Sequence, residues 1–165
     1  MILQTARLAL TELTPADAPF ILTLLNSPGF LHNIGDRGIR DIPAAEAYIA
    51  RVRASYAAHS FGMWRCDLLS DATTIGIVGF VKRDSLPHPD IGYALLEPFW
   101  NLGYATEATA ACLACGRQSL GLSTVLAITT THNAASIAVL RKIGLHPAGL
   151  IRLPNSADDS ALFTT

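Results

Sequence analysis

The stretch "IGYALLEPFWNLGYATEA", residues 91–108, decides the fold. Its apolar run, Ile91 to Leu96, reads as a strand that stops before Pro98. Gly103 then opens a run of good helix formers beginning Ala105-Thr106-Glu107-Ala108. A strand that turns at a glycine and continues as a helix aims unpaired N–H groups, and the positive end of the helix dipole, at one spot. Such a spot suits a phosphate. The alternative is that Gly103 serves only a tight turn. Neither G-x-x-x-x-G-K-[ST] nor G-x-G-x-x-G is present, which excludes the common nucleotide loops as written.

Outward from this joint, "FGMWRCDLL" (61–69), "TIGIVGFVKRD" (74–84) and "DIGYALL" (90–96) are strands joined by the turns "SDAT" and "SLPHP", which implies an antiparallel meander. N-terminal to it, "RLALTEL" (7–13) alternates as a half-buried strand, and Thr14-Pro15-Ala16-Asp17 starts a helix running to about Ser27. Residues 28–43, "PGFLHNIGDRGIRDIP", form a glycine-punctuated loop before a second helix over 44–59. C-terminal to the joint, a helix spans about Tyr104 to Leu120 and "STVLAITTT" returns as a buried strand. Asn133 caps a short helix ending at Gly144, and "PAGLIRLP" and "SALFTT" supply one or two last strands. The order β-α-α-β-β-β-α-β-α-β-β specifies an α/β fold with a mixed, mostly antiparallel central sheet flanked by helices. One domain, 1–165, accommodates it, without repeats or low-complexity segments.

Half the residues are apolar, 15% are charged and the formal net charge is −1, so neither disorder nor a basic nucleic-acid surface is favoured. No apolar run approaches the roughly 18 residues that span a bilayer. A cytoplasmic protein, monomer or homodimer, with no nucleic-acid or membrane partner is expected. Cys66, Cys112 and Cys115 are too few for a disulfide framework. Cys112 and Cys115 form a C-x-x-C, but it lies mid-helix without a second Cys/His pair, so both are read as core residues and no metal is expected.

"TARLALTELTPADA", "NIGDRGIR", "IGYALLEPFWNLGYATEA" and "THNAASIAVLRKIGLHPAG" occur in the order and spacing of the GNAT superfamily of N-acetyltransferases. The chain resembles the branch containing the ribosomal-protein amino-terminal acetyltransferases (RimJ/RimL type), from about Leu3 to Leu150. The resemblance implies a GNAT-like acyl-CoA N-acyltransferase fold and acetyl-CoA as cosubstrate. It also implies that Trp100–Ala105 is the Q/R-x-x-G-x-G/A loop whose amides hold the coenzyme A pyrophosphate, with Asn101, Leu102, Gly103, Tyr104, Ala105 and Thr106 binding the cofactor. Asn101 stands where glycine is usual, and Leu102 where a basic or polar residue is frequent. By the same resemblance the preceding strand carries a bulge and splays from its neighbour. Ala94, Leu95 and Leu96 then pair with the pantetheine, and the Leu96 N–H stabilises the oxyanion. Asn133 and Ser136 match the branch's N-x-x-S. Asn133 is a cap, a cofactor contact or both. Ser136 is the implied thiolate partner, because Leu140 occupies the position where many members carry a proton-donating tyrosine; the alternative is a serine bonded to a helix carbonyl.

The acceptor amine must lose a proton before attack, yet none of His32, Asp36, His88, Asp90 and Glu97 is singled out as the base. The implied activity is transfer of acetyl from acetyl-CoA directly to a primary amine, of a small molecule or a peptide amino terminus. A catalytically inactive acyl-CoA-binding sensor or interaction module is the alternative, and a nucleotide-binding α/β domain is a third reading.

Overall fold

The computed structural model describes residues 2–154 and 156–165. β1 (Leu3–Gln4) and β2 (Leu8–Glu12) form a hairpin that leads through a 3-10 turn at Pro15–Asp17 into α1 (Ala18–Leu25). The turn forms because Asp17 folds back on Thr14, whose N–H and hydroxyl donate to the carboxylate at 2.7 and 3.0 Å. The segment expected to be a loop contains a short helix, α2 (Pro28–Asn33), capped by the Ser27 hydroxyl, which accepts from the Phe30 N–H. α3 (Ile42–His59) follows, with the Asp41 carboxylate accepting from Ala44 N–H at 2.8 Å.

The meander is present as expected: β3 (Met63–Leu68), β4 (Thr74–Val81) and β5 (Asp90–Leu95) pair antiparallel in sequence order. α4 (Tyr104–Ser119), β6 (Leu126–Thr130), α5 (Ala134–Lys142), β7 (His146–Ile151) and β8 (Ser160–Thr164) complete the chain. Both tail strands form, and β8 inserts between β6 and β7, giving the sheet order β1-β2-β3-β4-β5-β6-β8-β7. Among the described residues only the β5–β6 contact is parallel. The sheet is thus mixed and mostly antiparallel.

β4 is buried on both faces, which accounts for its unbroken apolar sequence. One face of the sheet, with Leu8, Leu10, Trp64, Val78, Phe80, Ile91 and Leu95, packs on Ala108, Cys112 and Leu113 of α4 and Leu140 of α5. The other, with Ile77 and Ala94, packs on Ile21, Leu24 and Leu25 of α1 and Ala45 and Ile49 of α3. Each fully buried large side chain contributes about 1.5–3 kcal/mol. Cys66 and Cys112 lie inside the first cluster, where burial pushes the Cys66 thiol up to about 12. Among the described residues no group of three or more metal-binding side chains converges, and no helix is long and apolar enough to cross a membrane.

Candidate active site

β5 and β6 meet at a single pair, Asp90–Leu126, where the Leu126 N–H donates to the Pro89 carbonyl at 2.9 Å. Beyond it the two strands no longer pair, so toward their C-terminal ends the backbone edge of β5 is left open on the side of β6, and the space between the two strands is the candidate cleft. The opening follows from the connection: β5 turns away at Glu97-Pro98-Phe99, a 3-10 turn, and the chain returns only after α4. No bulge is needed, and none occurs in β5, whose register with β4 runs unbroken from Val81–Asp90 to Gly76–Leu95.

The register fixes which backbone groups face the cleft. The Leu96 N–H donates to the Ile75 carbonyl at 2.9 Å, so it is spent on β4 and is not free for an oxyanion. Because strand backbones alternate in direction, Ala94, opposite Ile77, is likewise turned to β4. The expected trio Ala94, Leu95 and Leu96 is corrected accordingly: Leu95 faces the cleft, and Tyr93, which the sequence reading missed, faces it too. The Leu95 carbonyl accepts the Trp100 indole N–H at 2.7 Å, which leaves the Leu95 N–H and the Tyr93 backbone as the open groups. Trp100 in turn packs directly on the Gly29 backbone, so a side chain on Gly29 would collide with the indole.

At the strand-to-helix joint, Gly103 adopts φ +83° and Asn101 φ +60°. Asparagine is among the few side chains that accept this left-handed geometry, which explains how it replaces the usual glycine. The first helical bond is Glu107 N–H to Gly103 O at 3.0 Å. The N–H groups of Asn101, Leu102, Gly103, Tyr104, Ala105 and Thr106 have no hydrogen-bond acceptor among the described residues. Alternating left-handed residues ahead of a helix make a concave anion seat. Asn101, Leu102 and Gly103 are exposed, so an anion can reach it.

On the opposite wall, the Asn133 side chain accepts the Ser136 N–H at 3.0 Å, so Asn133 is a true N-cap. The Ser136 hydroxyl donates to no backbone carbonyl among the described residues. It lies close enough to Tyr93 to offset part of the upward pull that burial exerts on the phenol. The Ser136 hydroxyl is thereby placed beside the Tyr93 phenol. Leu140 is core.

The base candidates separate by their contacts. Glu97 accepts the Gly29 N–H at 2.5 Å and ties α2 to the end of β5. Asp90 sits at the closed end of the cleft, paired with Arg83 at 2.8 Å; burial raises its carboxyl against that pairing. Asp36 pairs with Arg40 and accepts the Gly38 N–H at 2.8 Å, which holds its carboxyl below the usual range. His32, on α2, faces His132 beyond β6 with ring centroids 5.9 Å apart, a juxtaposition that the spacing of 100 residues concealed.

Residues 7–146 match the family model described as an acetyltransferase (GNAT) domain. The uncharacterised N-acetyltransferase YoaA of Bacillus subtilis (strain 168) is 28% identical over 152 residues, covering 92% of this chain and 86% of YoaA. An acetyltransferase from Agrobacterium tumefaciens str. C58 superposes with a TM-score of 0.81 at 27% identity, over 99% of this chain and 92% of that one. RimL, a ribosomal L7/L12 alpha-N-protein acetyltransferase solved in complex with coenzyme A, superposes with a TM-score of 0.85 at 16% identity, over 99% and 96% of the two chains, and shows the same fold.

Proposed function

Because the chain belongs to the acetyltransferase (GNAT) family, we propose that its β5–β6 cleft carries out direct transfer of acetyl from acetyl-CoA to a primary amine, on a small molecule or a peptide amino terminus. The parting of β5 and β6 after one pair carries the proposal, because it leaves a strand edge with N–H and C=O groups open inside the sheet. The pyrophosphate lies on the amides of 101–106. The pantetheine runs along β5 as an added strand, pairing with Tyr93 and Leu95.

In this arrangement the Leu95 N–H, rather than that of Leu96, points at the thioester oxygen. The amine nitrogen, having lost a proton to a base or water, attacks the carbonyl carbon, and the oxyanion forms at the Leu95 donor. Collapse breaks the C–S bond, and the nitrogen gives up its second proton to water as the amide forms. The departing sulfur receives its hydrogen bond from the Ser136 hydroxyl and its proton from there or from water. The acceptor enters on the α1–α3 face, under the α2 roof. Thiol release from acetyl-CoA across a library of primary amines and amino-terminal peptides tests the activity. Turnover with at least one acceptor is expected; tight acetyl-CoA binding with no turnover across the library would instead support the inactive acyl-CoA-binding module.

A further inference from the structure

Arg7, at the entry to β2, and Glu107, in the first turn of α4, take no part in the chemistry above, yet they meet directly behind the anion seat. The Arg7 Nε donates to Glu107 Oε2 at 2.6 Å, and the Arg7 N–H donates to Oε1 at 2.9 Å. The Thr5 hydroxyl donates to the same Oε1 at 2.6 Å. From this anchored position Arg7 Nη1 reaches the Leu102 carbonyl at 3.0 Å, and the guanidinium lies over the Tyr104 ring, 4.4 Å from its centroid. Its other amino group would stand 3.3 Å from a side chain placed on Gly103.

We propose that Arg7 is a positioning residue that shapes the anion seat from behind. The proposal rests on the placement of the cofactor pyrophosphate at residues 101–106. In a trans peptide the C=O and the following N–H point in opposite directions. Arg7 holds the Leu102 carbonyl toward the β1–β2 hairpin, so the Gly103 N–H is turned the other way, into the seat. Among the described residues no other side chain bonds a backbone carbonyl of 101–103, and Leu102 itself is 52% exposed.

The second effect is electrostatic. The Glu107 carboxylate, 19% exposed, sits in the first turn of the helix that would bind a pyrophosphate. Burial alone would raise its carboxyl, but the Thr5 hydroxyl and Arg7 outweigh that and hold it below the usual range, so it stays ionised. Unpaired, it would repel the incoming anion. Arg7 neutralises it without occupying the seat. The tie thus cancels a charge that would oppose the anion, from a residue 95 positions away from Leu102 in sequence.

The test is titration of the folded full-length chain with CoA and with pantetheine, which lacks the pyrophosphate. Arg7→Ala should raise the CoA Kd at least tenfold and leave pantetheine binding within twofold. Removing the carboxylate as well, in Arg7→Ala/Glu107→Gln, should recover part of the lost CoA affinity, which a purely structural tie would not do. Should Arg7→Ala fail to fold, Arg7→Lys carries the test. It keeps the charge but lacks the planar fork needed to hold Glu107 and the Leu102 carbonyl together, so it should weaken CoA several-fold with pantetheine unchanged. Equal weakening of both ligands, or unchanged CoA affinity, would overturn the role of Arg7. If instead the parent chain binds CoA no more tightly than pantetheine, the pyrophosphate placement itself fails, and the inference about Arg7 fails with it.

Discussion

Gly103→Val probes the joint from which the fold was read. Gly103 sits at φ +83°, where an L residue is strained by roughly 1–2 kcal/mol. Sterically the new Cβ meets only the end of Arg7, at 3.3 Å, and a flexible side chain can give way. Against a domain stability of about 5–15 kcal/mol, this strain leaves the variant folded. Binding is affected differently. The unliganded loop can relieve the strain by leaving the left-handed region, and ligand binding must then restore it. That alone lowers CoA affinity by up to the full strain, roughly five- to thirtyfold, and the branched side chain adds obstruction at the phosphate. We expect at least a tenfold higher Kd by calorimetry, with the circular dichroism of the parent. Gly103→Asn is the control: asparagine tolerates the conformation, as Asn101 already does two residues earlier, so it should bind CoA severalfold better than the valine variant. Equal CoA affinity of Gly103→Val and the parent would refute the seat.

Three further outcomes are expected. Ser136→Ala should lower kcat roughly ten- to a thousandfold with little change in acetyl-CoA affinity, since a donor to the departing sulfur acts in the transition state; steady-state kinetics with chemistry shown to be rate-limiting checks it, and a kcat within about twofold of the parent would remove Ser136 from the mechanism. Asp36→Ala releases Arg40 and the Gly38 amide, and Arg37→Ala removes a neighbouring charge from the same α2–α3 connection; both should raise the acceptor KM or alter acceptor preference while acetyl-CoA binding stays constant, as read from initial rates with each substrate varied. Asp17 is depressed in the folded state: burial raises its carboxyl, but hydrogen bonds from Thr14 and Arg65 outweigh it. Its contribution is therefore complete above the unfolded carboxylate range and is lost as pH falls through the still lower folded value. Asp17→Asn should be less stable at neutral pH and show a flatter acid limb in denaturant midpoint against pH.

The parts of this molecule that were legible in the sequence are those whose cause is local. The joint at Gly103 shows because a left-handed turn, free amides and a helix start must fall within a few residues. The Asn133 cap and the Thr14–Asp17 turn show for the same reason. The antiparallel meander was legible because its turns are too short for crossovers. What stayed hidden depends on distant partners. "PGFLHN" reads as part of a glycine-punctuated loop over 28–43, and α2 draws on Glu97, which accepts the Gly29 N–H from 68 positions away. "IGYALL" is apolar at nearly every position, so no alternation marks which backbone groups face β4. The register with β4 decides that, and it moves the open groups by one residue, to Tyr93 and Leu95. Arg7 looked like one ordinary charge on a half-buried strand until its carboxylate partner appeared in the first turn of α4.

That one-residue distinction offers the most direct test of the central claim, that the cofactor is held by the β5 edge left open by β6. Backbone amide hydrogen exchange, followed residue by residue by NMR with and without acetyl-CoA, separates the two faces of β5. Without ligand, Leu96 should already be protected through its bond to Ile75, while Tyr93, Leu95 and residues 101–106 exchange faster. On binding acetyl-CoA, Leu95 and residues 101–106 should slow strongly and Leu96 should change little. New protection at Leu96, or none at Leu95 under saturating acetyl-CoA, would contradict the account.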